Sequence, residues 1–460
     1  MFDWFFAMRQ LKAAVIGTGF IGPVHVEALR RLAIPVQGIL GSTVEKSVAA
    51  AAKLQLPKAY ATLEELLADD QVDVVHVTSP NQFHFDQTVA ILNAGKHVLC
   101  EKPLAMTSQQ SAQLVRLADQ TGLAAAVNYN IRYYPLCQEA AAQMRAGKLG
   151  RLYHVGGSYV QDWLFHETDF NWRVSSSAGG ALRAVADIGT HWLDLIQFVT
   201  NEKVVSVCSD LQTVFPQRSR PLGGAQTFSG GVAQDRSIET IDVDTEDCGS
   251  VLLRFASGAK GVLWVSQVTA GRKNCLQFEL SASKQAVAWC SQDPNQLWIG
   301  HRDQPNQLLI RDPAMLSSAA QKYSDYPGGH NEGFPDSFKQ LCRDFYETIA
   351  SGNASNCSLS AMHEAARMKA ASVKAASVKA ASVKAASVKA ASVKAASVKA
   401  ASVKTASVKT ASVKTASVKT ASVKTASVTY PTFADGHREI LLCEAILASH
   451  QQERWVHLEN

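Results

Sequence analysis

No apolar run in this 460-residue chain approaches the roughly 18–20 uncharged residues that a bilayer core demands. CxxC pairs and HExxH are absent and the thirteen histidines are dispersed, so a metal site is not expected. The nine cysteines (100, 137, 208, 248, 275, 290, 342, 357 and 443) are odd in number and scattered. That usage reads as reduced thiols in a cytoplasmic protein, not as a disulfide framework. The start, MFDWFFAMRQ, is apolar, but Asp3 interrupts it, it is too short for a signal h-region, and no small-residue cleavage pattern follows. Residues 1–10 therefore read as an N-terminal extension, with Met8 a second candidate initiator. An apolar fraction of 47% excludes global disorder and a collagen-like chain.

The net charge of +5 is unevenly placed. From Lys369 to Val428 the chain reads KAASV seven times and then KTASV five times, without an acid. Removing the twelve lysines of that tract leaves −7 on the other 400 residues. The body is mildly acidic, and a nucleic-acid partner is not expected. On a helix a five-residue period smears Lys and Val around the cylinder, so no apolar stripe forms. A pentapeptide solenoid would lack the Leu or Phe such coils place inside, and a mobile or helical insert fits better.

Outside the tract two textures follow one another. Ala13–Ile16 is a short apolar strand running into GTGFIG, followed by a helical stretch, 24–32. Strands at 36–40, 72–78 and 97–100 alternate with helices such as 44–54, the pattern of a parallel sheet covered on both faces. Past Pro135, alternating stretches at 152–160, 204–214, 250–255, 259–268 and 275–281 predict a mostly antiparallel sheet. Late helices are expected at 337–350 and 438–450. The expected organisation is an α/β Rossmann domain over 11–135, an α+β C-terminal domain over 136–368 and 429–460, and the repeat insert at 369–428.

GTGFIG stands after a strand and opens a helix, where a dinucleotide fingerprint belongs. Gly17 allows the tight turn, Gly19 lets backbone approach a pyrophosphate, and Gly22 permits close helix packing, with Phe20 and Ile21 between them. Where NAD-preferring folds place a carboxylate, this chain has Gly41-Ser42-Thr43, with Lys46 one turn on. Ser42, Thr43 and Lys46 suit a 2′-phosphate, so NAD(P) is the expected cofactor, leaning slightly to NADP. Ser and Thr at that point also serve as simple helix caps.

GTGFIG together with GKHVLCEKP (95–103), VTSPNQFH (77–84), VNYNIRYYP (127–135), GKLGRL (147–152) and GGALRAVADIGTHWLDL (179–195) resembles the Gfo/Idh/MocA oxidoreductases. The resemblance covers nearly everything outside the repeat. It implies that Lys102 of EKP, and Asp187 and His191 of DxGxH, are catalytic. On a helix Asp187, His191 and Asp194 would share one face. His191 has the ordinary pKa of a base that takes a hydroxyl proton. Asp187 would hold the imidazole tautomer or bind a substrate hydroxyl, and Lys102 would polarise the substrate oxygen. The structural alternatives are a buried Asp/His pair and a solvated loop lysine.

Ser79, Asn81, His84 and Glu101 are expected beside the cofactor, Asn81 equally as a helix cap. Asn128, Arg132, Trp172, Arg173 and His330 are candidates on the substrate side. The implied activity is hydride transfer between nicotinamide cofactor and a sugar, cyclitol or related polyol, by a homo-oligomer. The alternatives are a non-catalytic sensor of the same fold and a basic scaffold that binds nucleic acid through the repeat.

Overall fold

A computed structural model describes Met8, 10–221, 238–352 and 428–458. The repeat and most of the N-terminal extension lie outside the described residues. Met8 itself is fully buried, packed into the first core.

The first sheet is all parallel: β1 (Ala13–Ile16), β2 (Val36–Leu40), β3 (Lys58–Tyr60), β4 (Val74–Val77), β5 (His97–Cys100) and β6 (Ala125–Val127). Its order is β3-β2-β1-β4-β5-β6, so the chain reverses direction across the sheet between β1 and β4. Both faces are covered, which is why β1 and β4 are buried at every position and carry no alternation. A crevice at such a reversal, outside the carboxyl ends of the strands, is where open α/β sheets bind ligands.

Among the described residues the second sheet has nine strands. These are β7 (Leu152–Val160), β8 (Val204–Gln212), β11 (Cys248–Phe255), β12 (Lys260–Ser266), β13 (Cys275–Ala282), β14 (Ala286–Cys290), β15 (Gln296–Gly300), β16 (Gln307–Ile310) and β17 (Val456–His457). Only β7 and β12 pair in parallel; the other neighbours are antiparallel. A separate ribbon joins β9 (Gln217–Pro221) and β10 (Ile238–Asp242). Alternation puts Val155, Leu253, Leu263 and Leu280 against the helices Pro135–Arg145 and Thr190–Thr200. The opposite face leaves Leu252, Trp264 and Trp298 exposed.

The helix Phe433–Gln452 closes the fold. Its start is fixed by a capping box: Thr432 Oγ1 accepts from Asp435 N–H, and Asp435 Oδ2 accepts from Thr432 N–H at 2.7 Å. Val127 N–H donates to Pro431 O, which ties this C-terminal segment to the last strand of the first sheet.

Candidate active site

The glycine turn leaves β1 at Gly17, whose φ of +114° favours glycine. A Cβ there would lie 2.5 Å from both the carbonyl and the hydroxyl oxygen of Thr78, at the end of β4. A Cβ on Gly22 would fall 2.2 Å from the Gly17 carbonyl oxygen. At Gly19, by contrast, nothing lies within 4 Å of where a Cβ would stand. The helix Ile21–Arg31 starts here with no acid in its first turn and no side-chain cap. An open cradle of backbone N–H groups at a helix start fits a pyrophosphate. At the end of β2, Thr43 Oγ1 caps the helix Val44–Leu54 by accepting from Lys46 N–H at 3.3 Å, and Lys46 Nζ donates to Ser42 Oγ at 3.0 Å.

The loops after β4 and β5 face this turn. Ser79 Oγ donates to Gln87 Oε1 at 2.6 Å. Asn81 does not act as a cap: Pro80 precedes the short turn 81–83 without a side-chain bond, and Asn81 Nδ2 donates to the Gly179 carbonyl at 2.9 Å. The residue thus links the first sheet's loop to the DxGxH region. His84 is buried with each ring nitrogen 2.8 Å from a backbone carbonyl, of Pro103 and of Ser79. It braces two loops. Glu101 is also buried, and its carboxylate is engaged by His25 (3.0 Å), by Asn128 and by the Lys102 backbone N–H (3.1 Å). Burial raises its pKa, but the His25 bond, with the Lys102 charge and the Asn128 bond, outweighs that and holds it below the usual carboxylate range.

Lys102 then crosses to the second half of the chain. Its ammonium donates to the Asp187 carbonyl oxygen at 2.6 Å and to Asp187 Oδ1 at 2.9 Å. Arg173 Nε donates to the same Oδ1 at 3.1 Å, and Gln267 Nε2 to Oδ2 at 2.9 Å. Burial pushes the Asp187 carboxyl up, yet Lys102 and Arg173 pull it well below the usual carboxylate range. The Arg173 guanidinium is stacked over the Trp172 ring, 4.3 Å from its centre, and Asn171 Oδ1 accepts from its NH1 at 3.2 Å.

His191 stands beside this group, buried between Tyr129 (ring centres 5.6 Å apart, edge-on) and Tyr159 (6.2 Å). Its Nδ1 is buried with no hydrogen-bond partner among the described residues. Desolvation and the Lys102 charge push its pKa down to about 3, against smaller upward effects of Glu101 and Asp187. An orphaned buried nitrogen costs about 1–3 kcal/mol. A ligand hydroxyl placed on it would remove that cost, and Lys102 joins this group to the first sheet, which carries the open glycine cradle at the end of β1. The residues present therefore fit a dinucleotide with an alcohol beside it.

Four expectations do not hold. Asp187 does not share a hydrogen bond with His191, because Lys102, Arg173 and Gln267 take its oxygens. Asp194 does not join the Asp187–His191 face: 185–189 is a π-helical turn that slips register before the α-helix Thr190–Thr200. Asp194 instead takes Arg132 in a buried pair, with Asp435 3.2 Å from the same guanidinium, so Arg132 is spent there and not on the substrate side. His330 sits in an exposed loop, its carbonyl accepting from Arg311; no contact joins it to Lys102, Asp187 or His191 among the described residues.

Several residues went unseen in the sequence. Gln267 is a lone amide just past β12 and carries no signal. Glu246 is another: buried, it accepts from the backbone N–H groups of Arg183 and Val185 and so caps the π turn that carries Asp187.

Two family models match the chain: an oxidoreductase family with an NAD-binding Rossmann fold over residues 11–129, and a GFO/IDH/MocA C-terminal domain over 137–288. The chain belongs to the Gfo/Idh/MocA oxidoreductases. Among its family relatives, levoglucosan dehydrogenase of Pseudarthrobacter phenanthrenivorans is 26% identical over 373 residues, 78% of this chain and 94% of the relative. The 1,5-anhydro-D-fructose reductase of Ensifer adhaerens is 31% identical over 184 residues, 38% of this chain and 52% of the relative. A structure of levoglucosan dehydrogenase with NADH and L-sorbose superposes with a TM-score of 0.73 at 22% identity, covering 98% of this chain and 99% of the other. An inositol dehydrogenase homologue from Azotobacter vinelandii with NAD+ gives 0.71 at 21% identity, covering 98% of each. These superpositions establish the family fold for both sheets.

Proposed function

We propose that this family member is a nicotinamide-dependent dehydrogenase or reductase acting on a sugar, cyclitol or related polyol, with His191, Lys102 and Asp187 as its catalytic group. The observation that carries the reading is the convergence of Lys102, from the end of β5, on Asp187, with the unpartnered His191 imidazole beside them. Relatives named for levoglucosan, 1,5-anhydro-D-fructose and inositol support the substrate class. When bound, a nicotinamide dinucleotide supplies the site that accepts or donates hydride.

The remaining work falls to the chain. An ammonium has three donors. Two are committed to Asp187, which leaves the third for the substrate oxygen, where it stabilises alkoxide character as it develops. Neutral His191 takes the hydroxyl proton. Asp187 and Glu101, which both raise its basicity, stabilise the imidazolium that results. Arg173 and Gln267 keep the Asp187 carboxylate aimed at Lys102. Trp172, held under Arg173, offers an apolar plane for a sugar face.

Three finer points belong to the same proposal. With no carboxylate in Gly41–Thr43 and with Lys46 over Ser42, the cofactor site suits a 2′-phosphate, hence NADP. The open sheet face, with Leu252, Trp264 and Leu308 each about half exposed, suits burial against a second copy. A cytoplasmic setting suits the eight described cysteines, all free.

The test is a fluorescence titration with NADH and NADPH, followed by a panel of sugars and inositols read at the nicotinamide band. Turnover on a polyol, lost on His191→Ala with cofactor binding retained, is the expected result. Tight cofactor binding without turnover on any alcohol or ketone would instead make the protein a sensor.

A further inference from the structure

Three buried groups outside the mechanism, Tyr346, His76 and His25, form an unbroken chain to Glu101, behind Lys102. Tyr346 Oη lies 2.9 Å from His76 Nε2, His76 Nδ1 lies 2.8 Å from His25 Nδ1, and His25 Nε2 lies 3.0 Å from Glu101 Oε1. Tyr346, His76 and His25 are fully buried. The chain runs from the helix Phe334–Ala350, through β4 and the helix of the glycine turn, to the residue before Lys102.

We infer that Tyr346, His76 and His25 are positioning residues that set the imidazole tautomers and thereby lock Glu101 onto the backbone of Lys102. A neutral imidazole has one donor and one acceptor nitrogen. The carboxylate of Glu101 only accepts, so His25 must donate from Nε2 and accept at Nδ1. His76 must then donate from Nδ1 and accept at Nε2, where the Tyr346 hydroxyl donates. Every polar atom in the chain is satisfied in that single direction.

Running it the other way would aim a lone pair at the carboxylate. A charged His25 would turn both His76 nitrogens around and leave the buried Tyr346 hydroxyl hydrogen without an acceptor. With Oε1 held by His25, Oε2 is left to accept from the Lys102 N–H, which fixes the peptide from which the lysine side chain reaches Asp187. Burial disfavours protonation of His76, which agrees with its neutral form in this geometry.

The effect on turnover rests on the proposed role of Lys102, whereas the tautomers do not, and two measurements separate them. Imidazole nitrogen-15 shifts, assigned with His25→Gln and His76→Gln, should show the proton on Nε2 of His25 and on Nδ1 of His76. Opposite tautomers, or a protonated His25, overturn the relay whatever Lys102 does. In kinetics, Tyr346→Phe and His25→Leu should lower kcat on the order of tenfold to a hundredfold, with KM for the polyol and NADH binding little changed. His25→Gln keeps a donor group and an acceptor group and should recover most of that loss. Equal kcat in the Gln and Leu variants, both binding NADH, refutes the positioning role. Full kcat in Lys102→Met would sink the reading of the site itself and leave the nitrogen shifts to judge the relay.

Discussion

His191→Gln tests the electrostatics of the site through stability as well as rate. In the folded protein the imidazole is buried beside Lys102 and titrates at about 3, whereas in an unfolded chain it titrates at its ordinary 6.5. Between those values the unfolded chain holds a proton that the folded one refuses. Stability from this group is therefore complete above about pH 6.5 and drains away as pH falls toward 3. Each unit corresponds to about 1.36 kcal/mol. Lowering the pH to about 4.5 crosses two units of that window and removes roughly 3 kcal/mol. Urea unfolding at about pH 7.5 and 4.5 measures it: wild type should lose roughly 3 kcal/mol more than His191→Gln over the same step. Parallel losses in the two proteins would refute the picture of a neutral imidazole held against protonation. In the same variant kcat should fall roughly 10²- to 10⁴-fold, as expected for a lost general base.

The two glycines of the turn should respond in opposite ways. Gly17→Ala meets Thr78 at 2.5 Å in a positive-φ position and should fold poorly, whereas Gly19→Ala has free space in the apoprotein. Gly19→Ala should keep its thermal midpoint and lose dinucleotide affinity, read by calorimetry and NADH fluorescence. Lys46→Glu should weaken NADPH binding more than NADH binding; equal weakening would remove the basis for an NADP preference. Deleting Lys369 to Val428 should leave cofactor binding and turnover intact, and loss of soluble, cofactor-competent protein would contradict that.

Much of the frame was legible because local signals agreed with tertiary demand. β2 and the helix Val44–Leu54 fall where expected, since an apolar run and a Thr cap mark their limits. β3 (Lys58–Tyr60) was missed: three residues after a proline carry too little pattern, and only pairing with β2 makes them a strand. The final helix begins at Phe433, not Arg438, because Gly436 reads as a breaker in sequence but serves close packing. A Cβ there would meet Leu104 at 3.0 Å.

Within the site, Lys102, Asp187 and His191 were legible as a motif, but their couplings were not. The π turn at 185–189 displaces Asp194 from its expected company, and nothing in VADIG signals it. Gln267, Glu246, His25 and Tyr346 act across long sequence separations, through contacts that exist only once each half of the fold is assembled.

The helix Phe433–Gln452 gives the repeat tract a constraint that its own residues do not supply. Tyr430 and Phe433 fill the cores around the first sheet, and Leu442 and Ile446 fill that beneath the second. Gain or loss of whole KAASV or KTASV copies preserves the reading frame into this segment, whatever the number of copies. A slip that shifts the frame replaces every one of those side chains and leaves three cores incomplete at once. Natural variation in the tract should therefore come in whole units, policed by a helix that lies beyond it.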